Sequence, residues 1–284
     1  MFDHDQNRDI DWWGGLRSLL RTSVLRSLMA LVFLIVVWQV LAALRFIDTR
    51  LLPPPSSWLE EIIATRNLQI FKLGYAQQGN EFFIINSVFW SLVRVLSGIF
   101  IGFSCGFAVG LTISYFRLVE KTLLPVILLL APISPIAWIP FAMILFGIGN
   151  KPAIFVVVVG VFFLITVATV SAVKNVSPDS IDSAKVLGAS RYQIMKLVIV
   201  PEILPQVFLI LRINSFAAWM AVLAAEMVGV SEGLGAMILV GRSLFNMRII
   251  FVAMLLIGIS GLILDLTLVF LQSRIIWWKR SSTY

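Results

Sequence analysis

Histidine and cysteine are almost absent from this chain, which has one of each among its 284 residues. Cys105 has no second cysteine to pair with, so the sequence excludes an intrachain disulfide and a metal site built on cysteines. His4 lies in a polar N-terminal stretch, where we expect it to be solvated. Most zinc and cysteine-hydrolase chemistry is therefore excluded, and we predict no metal site.

Charged residues are also scarce in this chain. They make up 13% of the residues, whereas hydrophobic residues make up 60%, and the mean hydropathy is +0.98. This composition excludes an ordinary soluble protein. No stretch has the character of a separate soluble domain, so we expect a single membrane-embedded unit with short polar ends.

The familiar catalytic motifs are missing as well. The sequence has no G-x-x-x-x-G-K-[ST] phosphate loop, no H-E-x-x-H and no G-x-S-x-G, and the run Gly-Ile-Gly-Asn-Lys at 147–151 lacks the phosphate-loop spacing. We therefore predict that the chain is not an enzyme and holds no cofactor of its own. If ATP drives this protein, a separate subunit must bind the ATP and its Mg²⁺.

Long apolar segments dominate the sequence instead. An apolar run of about 18–20 residues crosses a bilayer as a helix, because lipid offers no water to the backbone polar groups. The sequence predicts an all-α integral membrane fold with six spans, at 28–44, 86–115, 121–146, 152–173, 203–228 and 249–273. We expect a tail with an interfacial helix at 1–27, a six-span domain at 28–275 and a second tail at 276–284.

Basic residues are distributed unevenly over the predicted loops. With the N-terminus in the cytoplasm, the inner segments hold 13 lysines and arginines, the outer segments hold 7, and two arginines lie within spans. The positive-inside rule then predicts that both termini and the segment 174–201 are cytoplasmic. The net charge of +7 is thus a topology signal, and we expect no nucleic-acid partner because no basic face clusters on a soluble domain.

The ends of the chain carry aromatic and basic residues suited to a lipid surface. Residues 10–26 predict an interfacial amphipathic helix in contact with lipid, with a disordered tail as the alternative. Trp277 and Trp278 form a matching anchor at the other end. In the first outer loop, at 45–85, the run Pro53-Pro54-Pro55-Ser56 argues against helix.

The second predicted span carries a glycine repeat. Its four glycines recur every four residues, at Gly98, Gly102, Gly106 and Gly110. Glycines in this register line one face of a helix and let a second helix approach closely. The pattern predicts tight helix packing, with the partner helix either in the same chain or in a second copy.

The third predicted span carries prolines that disturb its helix. Each of its four prolines removes a backbone donor and strains the preceding turn, and they lie at Pro125, Pro132, Pro135 and Pro140. We predict a bent helix, which either lines a pathway or bends for packing alone. Trp138, beside the bend, is a candidate gate or contact residue, and a lipid-facing tryptophan is the alternative.

The fifth predicted span carries a polar stripe. Four side chains lie within an arc of roughly 60° on an α-helix, namely Arg212, Ser215, Trp219 and Glu226. Because charges within a span usually face a cavity or a partner, this stripe and Arg94 of the second span are our candidates for the substrate pathway, with a structural role as the alternative for Arg94. Glu226 is expected to pair with Arg94 or Arg242, and Asp265 in the sixth span is expected to be a buried acid. A structural salt bridge or lipid snorkelling is the alternative role for Arg212.

The segment 174–201 is a polar island between two apolar spans. On a helix, Ala184 and Gly188 lie four residues apart and share a face that is almost bare, so another backbone can approach it. Lys185, Arg191 and Lys196 keep the rest of the island in water. Such an element suits docking of a soluble partner, and an ordinary polar loop is the alternative.

This island resembles the coupling motif of ABC importer permeases, E-A-A-x-x-x-G followed after nine residues by I-x-L-P. Asp182, Ser183 and Ala184 stand in the E-A-A positions, Gly188 keeps the glycine, and the run Val-Ile-Val-Pro at 198–201 stands for I-x-L-P. The resemblance implies that an ATPase contacts Asp182, Ser183, Ala184, Lys185, Gly188, Ala189 and Pro201. The stretches 146–152 and 218–227 resemble the nitrate and bicarbonate permeases within the nitrate/sulfonate/bicarbonate/taurine family.

The resemblance implies a bacterial plasma-membrane assembly. Its expected partners are a second copy of the chain, two cytoplasmic ATPase subunits that bind ATP and Mg²⁺ and are either identical or different, and an extracytoplasmic substrate-binding protein. The expected cargo is a small anion, with nitrate or bicarbonate favoured and nitrite, sulfonates or taurine also compatible. An ion-coupled secondary transporter and a membrane scaffold subunit are the alternatives.

Overall fold

The computed structural model describes residues 29–30, 32–44, 52–58 and 83–276. It divides the chain into two units, residues 1–61 and 62–284. Throughout the described ranges the ordered elements are helices, and none of those residues forms a strand. The predicted interfacial helix at 10–26, the rest of the outer loop and the Trp277–Trp278 anchor lie outside the described residues.

The first unit contains helix α1, Val32–Ala43, within the first predicted span. A single helical turn follows at 55–58. The backbone N–H of Ser56 donates to Gln39 Oε1 at 3.3 Å, and the Trp38 and Trp58 rings meet edge to face at 5.3 Å between centroids. The expectation of no helix at residues 53–56 was wrong at its end, because proline is tolerated in the first turn of a helix and this turn begins at Pro55.

The second unit is a helical bundle. In chain order its helices are α2 (Phe83–Tyr115), α3 (Arg117–Leu130), a 3₁₀ turn (Pro135–Trp138), α4 (Ile139–Phe146), α5 (Asn150–Lys174), α6 (Pro178–Val186), α7 (Arg191–Gly229), α8 (Leu234–Ser243) and α9 (Met247–Ile275). Four of them, α2, α5, α7 and α9, are long and apolar enough to cross a membrane. They match the second, fourth, fifth and sixth predicted spans.

The third predicted span is broken into two helices. It consists of α3 and α4, whose axes differ by 93° across the short break between them. Pro132 lies in the break, and Pro135 is the first residue of the 3₁₀ turn, so the missing backbone donors cost no helical hydrogen bond there. Pro125 stays inside α3, and Pro140 lies in the first turn of α4. The bend predicted within 121–146 is therefore confirmed, but it separates two helices, and the segment is a broken span or a re-entrant pair.

The glycine repeat of α2 packs against α5 of the same chain. A Cβ atom added to Gly102 would lie 2.9 Å from the Val158 carbonyl oxygen, and one added to Gly106 would lie 2.7 Å from the Phe162 carbonyl oxygen. The Thr166 hydroxyl also donates to the Gly106 carbonyl at 3.2 Å. These contacts decide between the two partners that the sequence left open, because the glycine face is filled within one chain.

Helix α5 forms the centre of the bundle, between α2 and α7. Its buried residues face in every direction, as its nearly unbroken apolar sequence predicts. Val156, Val157 and Ile165 are fully buried there, and Val222 of α7 joins the same core. The ends of α5 are thereby fixed, with Asn150 at one end of the bundle and Lys174 at the end that carries α6.

Helix α8 is a short element that the sequence did not predict. It fills the connection between α7 and α9 at the end of the bundle opposite α6, and Leu234 and Met237 are fully buried on it. Its ten residues are too few for a span, and its apolar pattern merges with the flanking spans. Its N-terminal turn packs against α7, where the Gly235 N–H donates to the Glu226 side chain.

Candidate functional site

The stretch predicted to couple to an ATPase folds as helix α6 and the turn that follows it. Pro178 occupies the first helical turn, where its missing N–H costs nothing. Ile181 and Ala184 are half-buried against the core. The exposed side carries Asp182, whose carboxylate accepts a hydrogen bond from Lys185 Nζ at 2.7 Å. Helix α6 therefore buries one face and presents the other, including Ser183, to its surroundings.

Gly188 lies in a turn beyond the end of α6 and not on a helical face. Its φ is +78°, a left-handed conformation that glycine adopts without steric cost. Its N–H donates to the Lys185 carbonyl at 2.9 Å, and the Ala189 N–H donates to the Ala184 carbonyl at 3.1 Å. These two bonds close the end of α6. The shared bare face predicted for Ala184 and Gly188 is wrong, because Ala184 points to the core while the glycine surroundings are open.

Two large apolar side chains form the tip of this element, and sequence reasoning missed them. Val186 and Leu187 are each 88% exposed, at the last turn of α6 and its cap. We call this pair the coupling tip. The signal was present in the sequence, because two adjacent apolar residues inside a polar island have no core of their own to fill. Exposed apolar side chains on a polar element are candidates for contact with another surface.

The remaining residues of the motif belong to α7. Ser190 caps this helix, with its side chain accepting from the Gln193 N–H and its N–H donating to the Gln193 side chain. Ala189 is half-buried against the core, and Pro201 lies in the body of α7 just after a π-helical turn at Met195–Ile199. The motif therefore describes a helix, a turn and the start of a span, which are joined without a flexible linker.

A buried ion pair joins α2 and α7 at the opposite end of the bundle. Arg94 Nη1 lies 2.6 Å from Glu226 Oε1, and both side chains are almost wholly buried. The Ser91 hydroxyl donates to the Glu226 carboxylate at 2.8 Å, and Arg94 Nε donates to Asn150 Oδ1 at 2.9 Å. Of the two partners that the sequence offered for Glu226, the structure confirms Arg94.

The N-terminus of α8 completes this cluster. The Gly235 N–H donates to Glu226 Oε2 at 3.0 Å, and the Leu234 N–H donates to the Ser91 hydroxyl at 3.0 Å. The positive end of the helix dipole thus faces the carboxylate. Gly233 has φ +133°, and a Cβ atom there would lie 2.6 Å from the Glu226 carboxyl carbon. The cluster requires glycine at this position and fixes the short helix to the two long ones.

A second ion pair joins α7 and α9 within their apolar length. Arg212 Nε donates to Asp265 Oδ1 at 2.7 Å, and Arg212 Nη2 donates to Asp265 Oδ2 at 2.9 Å. The Arg212 side chain is 42% exposed, whereas Asp265 is largely covered. The salt bridge that the sequence left as an alternative for Arg212 is therefore present, and Asp265 is its partner.

The predicted polar stripe of α7 does not form one continuous surface. Ser215, Trp219 and Glu226 are buried inside the chain, and the Ser215 hydroxyl donates to the Arg212 carbonyl at 2.6 Å. The four side chains share one side of the helix, as predicted, but that side faces α2, α5 and α9. The expectation that the stripe lines an open pathway is therefore wrong for Ser215, Trp219 and Glu226. Trp138 is half-buried against the core beside Phe141, and its role as a gate stays a prediction.

The described residues contain no group of three or more histidine, cysteine, aspartate or glutamate side chains placed to hold a metal ion. Their intramembrane charges are instead paired as Arg94 with Glu226 and Arg212 with Asp265. Each of these ion pairs joins two helices, α2 with α7 and α7 with α9.

The fold is shared with a known transporter structure. The inward-facing methionine ABC transporter MetNI has a chain that matches with a TM-score of 0.58 over 72% of this chain and 97% of that chain, at 22% sequence identity. This likeness concerns the fold alone.

Sequence comparisons then define the family. The taurine transport system permease protein TauC of Escherichia coli is 30% identical over 277 residues, covering 96% of this chain and 94% of that protein. The bicarbonate transport system permease protein CmpB of Synechocystis is 30% identical over 262 residues, covering 90% of each. The family model for binding-protein-dependent transport system inner membrane components matches residues 98–277. The chain therefore belongs to this family, the permease subunits of ABC transporters.

Proposed function

We propose that this chain is the membrane-spanning subunit of an ATP-driven importer and forms the pathway for a small anion, with nitrate or bicarbonate favoured. The observation that carries the proposal is the coupling tip, Val186 and Leu187, two strongly exposed apolar side chains at the end of an otherwise polar helix. Partner ATPase subunits bind and hydrolyse the ATP with Mg²⁺, and this chain supplies the surface on which they act.

The connections of α6 suit it to transmit force. Helix α5 leads into it through a short turn, and α7 leaves it through the closed turn at Gly188 and the Ser190 cap. Both neighbours are long helices packed in the core, so a displacement of α6 moves them as rigid bodies. The Lys174–Glu120 ion pair, at 2.6 Å, links the same end of α5 to α3. We therefore expect α3, the first helix of the broken span, to move with α5.

The cargo is inferred from the relatives. The name of one relative includes taurine and that of another includes bicarbonate, and the stretches 146–152 and 218–227 resemble the nitrate and bicarbonate permeases. Nitrate, bicarbonate and the sulfonate of taurine are all small oxyanions. The partly exposed Arg212 of α7 is compatible with such an anion. Nitrite and other sulfonates are small oxyanions as well.

The working assembly contains more than this chain. We infer a second copy of the permease, two cytoplasmic ATPase subunits, identical or different, and an extracytoplasmic binding protein that delivers the anion. The chain lies in a bacterial plasma membrane with both termini and α6 in the cytoplasm. From this placement we infer that seven residues belong to the docking surface for the ATPase, namely Asp182, Ser183, Ala184, Lys185, Gly188, Ala189 and Pro201.

Reconstitution tests the activity directly. The chain is purified from its native membrane with the subunits that remain attached, and the complex is placed in liposomes with ATP inside and labelled nitrate, bicarbonate or taurine outside. We expect ATP-dependent uptake that also requires the binding protein. Uptake that persists without the ATPase and follows an ion gradient would favour a secondary transporter, and no uptake of any solute with all subunits present would favour a scaffold.

Substitution of the coupling tip tests the docking surface. We expect Leu187→Asp to reduce ATPase co-purification by at least about tenfold, because an exposed apolar contact of this size contributes roughly 1.5–3 kcal/mol when it is buried. The measurement is the ratio of ATPase to permease after affinity purification.

Ile148→Asp is the matched control for this substitution. Ile148 is 81% exposed at the opposite end of the bundle, so the same chemical change there should leave ATPase binding intact. Normal ATPase recovery with Leu187→Asp, or an equal loss with both variants, would contradict the proposed docking surface.

A further inference from the structure

The Arg212 guanidinium has one edge occupied and one edge free. A guanidinium offers a side edge, formed by Nε and one terminal nitrogen, and an end edge, formed by the two terminal nitrogens. Asp265 takes the side edge with two hydrogen bonds, from Nε and Nη2. Nη1 donates to no other described residue, so the end edge can still receive two oxygen atoms.

This free edge lies deep in the apolar part of the chain. Asp265 is ten residues before Ile275, the last residue of α9, which corresponds to roughly 15 Å along the helix axis. An arginine side chain held by two hydrogen bonds to a carboxylate of the neighbouring helix is not free to extend toward the lipid headgroups. Snorkelling, which would satisfy the exposed guanidinium at an interface, is therefore not its role.

The surroundings of the free edge on this chain are apolar. Leu209, Ile213 and Phe216 of α7 are exposed beside Arg212, and Leu262 and Leu266 of α9 are exposed beside Asp265. A half-exposed guanidinium that faced lipid on this surface would be strongly destabilising. The exposed edge is stable only where water or another protein surface covers it, which is the condition at the wall of a solute pathway.

We propose that the end edge of Arg212 is a transient binding site for the transported oxyanion, with Asp265 as the residue that positions it. The inference rests on the proposed function and names the residue that contacts the cargo. Two parallel N–H···O bonds fit two oxygens of nitrate, bicarbonate or a sulfonate and favour such solutes over those without paired oxygens. Solutes with a single acceptor gain only one of these bonds.

Asp265 gives the site its weak affinity. Its negative charge lies against the guanidinium and reduces the attraction for a second anion, which favours release during transport. It also holds the guanidinium plane, so that the end edge keeps one orientation. Loss of the carboxylate charge is therefore expected to strengthen anion binding, whereas loss of the guanidinium fork is expected to weaken it.

Opposite effects of two substitutions test this site. The purified permease–ATPase complex is titrated with sodium nitrate and with sodium bicarbonate, and the apparent Kd is obtained from the rise in melting temperature relative to sodium fluoride at equal ionic strength. We expect Arg212→Lys, which keeps the charge and loses the fork, to raise the Kd by about tenfold. We expect Asp265→Asn to lower the Kd several-fold while uptake slows in liposomes.

A role confined to joining α7 and α9 predicts a different result. Both substitutions would then lower the melting temperature without anion and leave the Kd unchanged, or move it in the same direction, and the proposal would be overturned. Arg248→Lys, on the exposed first turn of α9, is the matched control and should change neither quantity. If a variant does not assemble, the other variant and the wild-type complex still give the sign of one shift.

The proposed anion cargo and the proposed role of Arg212 can be disproved separately. If the wild-type complex neither binds nor transports any oxyanion but moves another solute, the proposed anion cargo is wrong. If the wild-type complex transports nitrate or bicarbonate and Arg212→Lys binds it with unchanged affinity, only the role of Arg212 is wrong.

Discussion

At the scale of single residues, Glu226 is the most constrained side chain described in the second unit. Its carboxylate accepts hydrogen bonds from Ser91, Arg94 and the Gly235 N–H, and it is fully buried. Removal of its charge leaves the buried Arg94 guanidinium without a counter-ion. The free-energy cost of such an uncompensated charge is far greater than that of losing an exposed ion pair.

We therefore expect Glu226→Gln to lower the free energy of unfolding by about 3–5 kcal/mol, or to prevent recovery of folded protein. The measurement is the melting temperature of the permease in detergent, together with the amount recovered from membranes. Glu120→Gln is the control, because it breaks the partly exposed pair with Lys174 and should leave both quantities nearly unchanged. Equal effects of the two substitutions would show that the Glu226 cluster does not support the bundle.

Single residues also mark the limit of what the sequence could predict. Helical spacing placed Arg212, Ser215, Trp219 and Glu226 on one arc, and they do lie on one arc. It could not predict which neighbouring helix that arc meets, because the angle around a helix says nothing of the helices packed outside it. For Glu226 the sequence offered two partners, Arg94 and Arg242. It did not predict that Arg212 pairs with Asp265.

At the scale of elements, the glycine repeat brings α2 into close contact with α5 along four turns. All four glycines of the repeat approach α5 so closely that an added Cβ atom would lie within 2.9 Å of a backbone or side-chain atom. Two helices in lipid are held together by such contacts, since apolar burial from water does not drive their association there.

We expect Gly106→Ala to separate α2 from α5 and to lower the melting temperature, because the new methyl group would meet the Phe162 carbonyl at 2.7 Å and backbone atoms cannot move aside. Gly258→Ala on α9 is the matched control. Open space surrounds Gly258, so there alanine should keep or raise the melting temperature through its higher helix propensity, about 1 kcal/mol per residue. A melting temperature that is unchanged in Gly106→Ala would contradict the close-packing account.

The long elements were predictable and the irregular ones were not. Apolar runs gave α2, α5, α7 and α9 to within a few residues, except that α7 begins at Arg191 and not near residue 203. The polar start of α7 lacks the apolar run on which span prediction relies. The break between α3 and α4 was predicted as a bend, because prolines indicate where a helix is disturbed but not how far its axis turns.

At the scale of the whole molecule, the two ends of the second unit carry distinct exposed apolar residues. Leu187 lies at the end with α6, and Ile148 lies at the end with the Arg94–Glu226 cluster. Because α5 and α7 run between these ends, a membrane that they cross must separate Leu187 from Ile148. This arrangement turns the predicted orientation into an accessibility measurement.

We expect a membrane-impermeant maleimide added to intact cells to label Ile148→Cys and not Leu187→Cys. Cys105 is the only cysteine of the chain, so Cys105→Ser supplies a cysteine-free background. The measurement is the mass shift of the purified protein, and the control is permeabilised cells that express the permease without its ATPase, in which both positions should react. Labelling of Leu187→Cys from outside intact cells would reverse the orientation and remove the basis for an ATPase at α6.

The length of α7 has one further consequence. Its 39 residues extend for roughly 58 Å, about twice the thickness of the hydrocarbon core of a bilayer. The polar beginning of this helix therefore projects beyond the lipid as a rigid helical extension. A subunit seated on it is held at a fixed height above the membrane, with room beneath for headgroups and water, so its own surface needs no affinity for lipid.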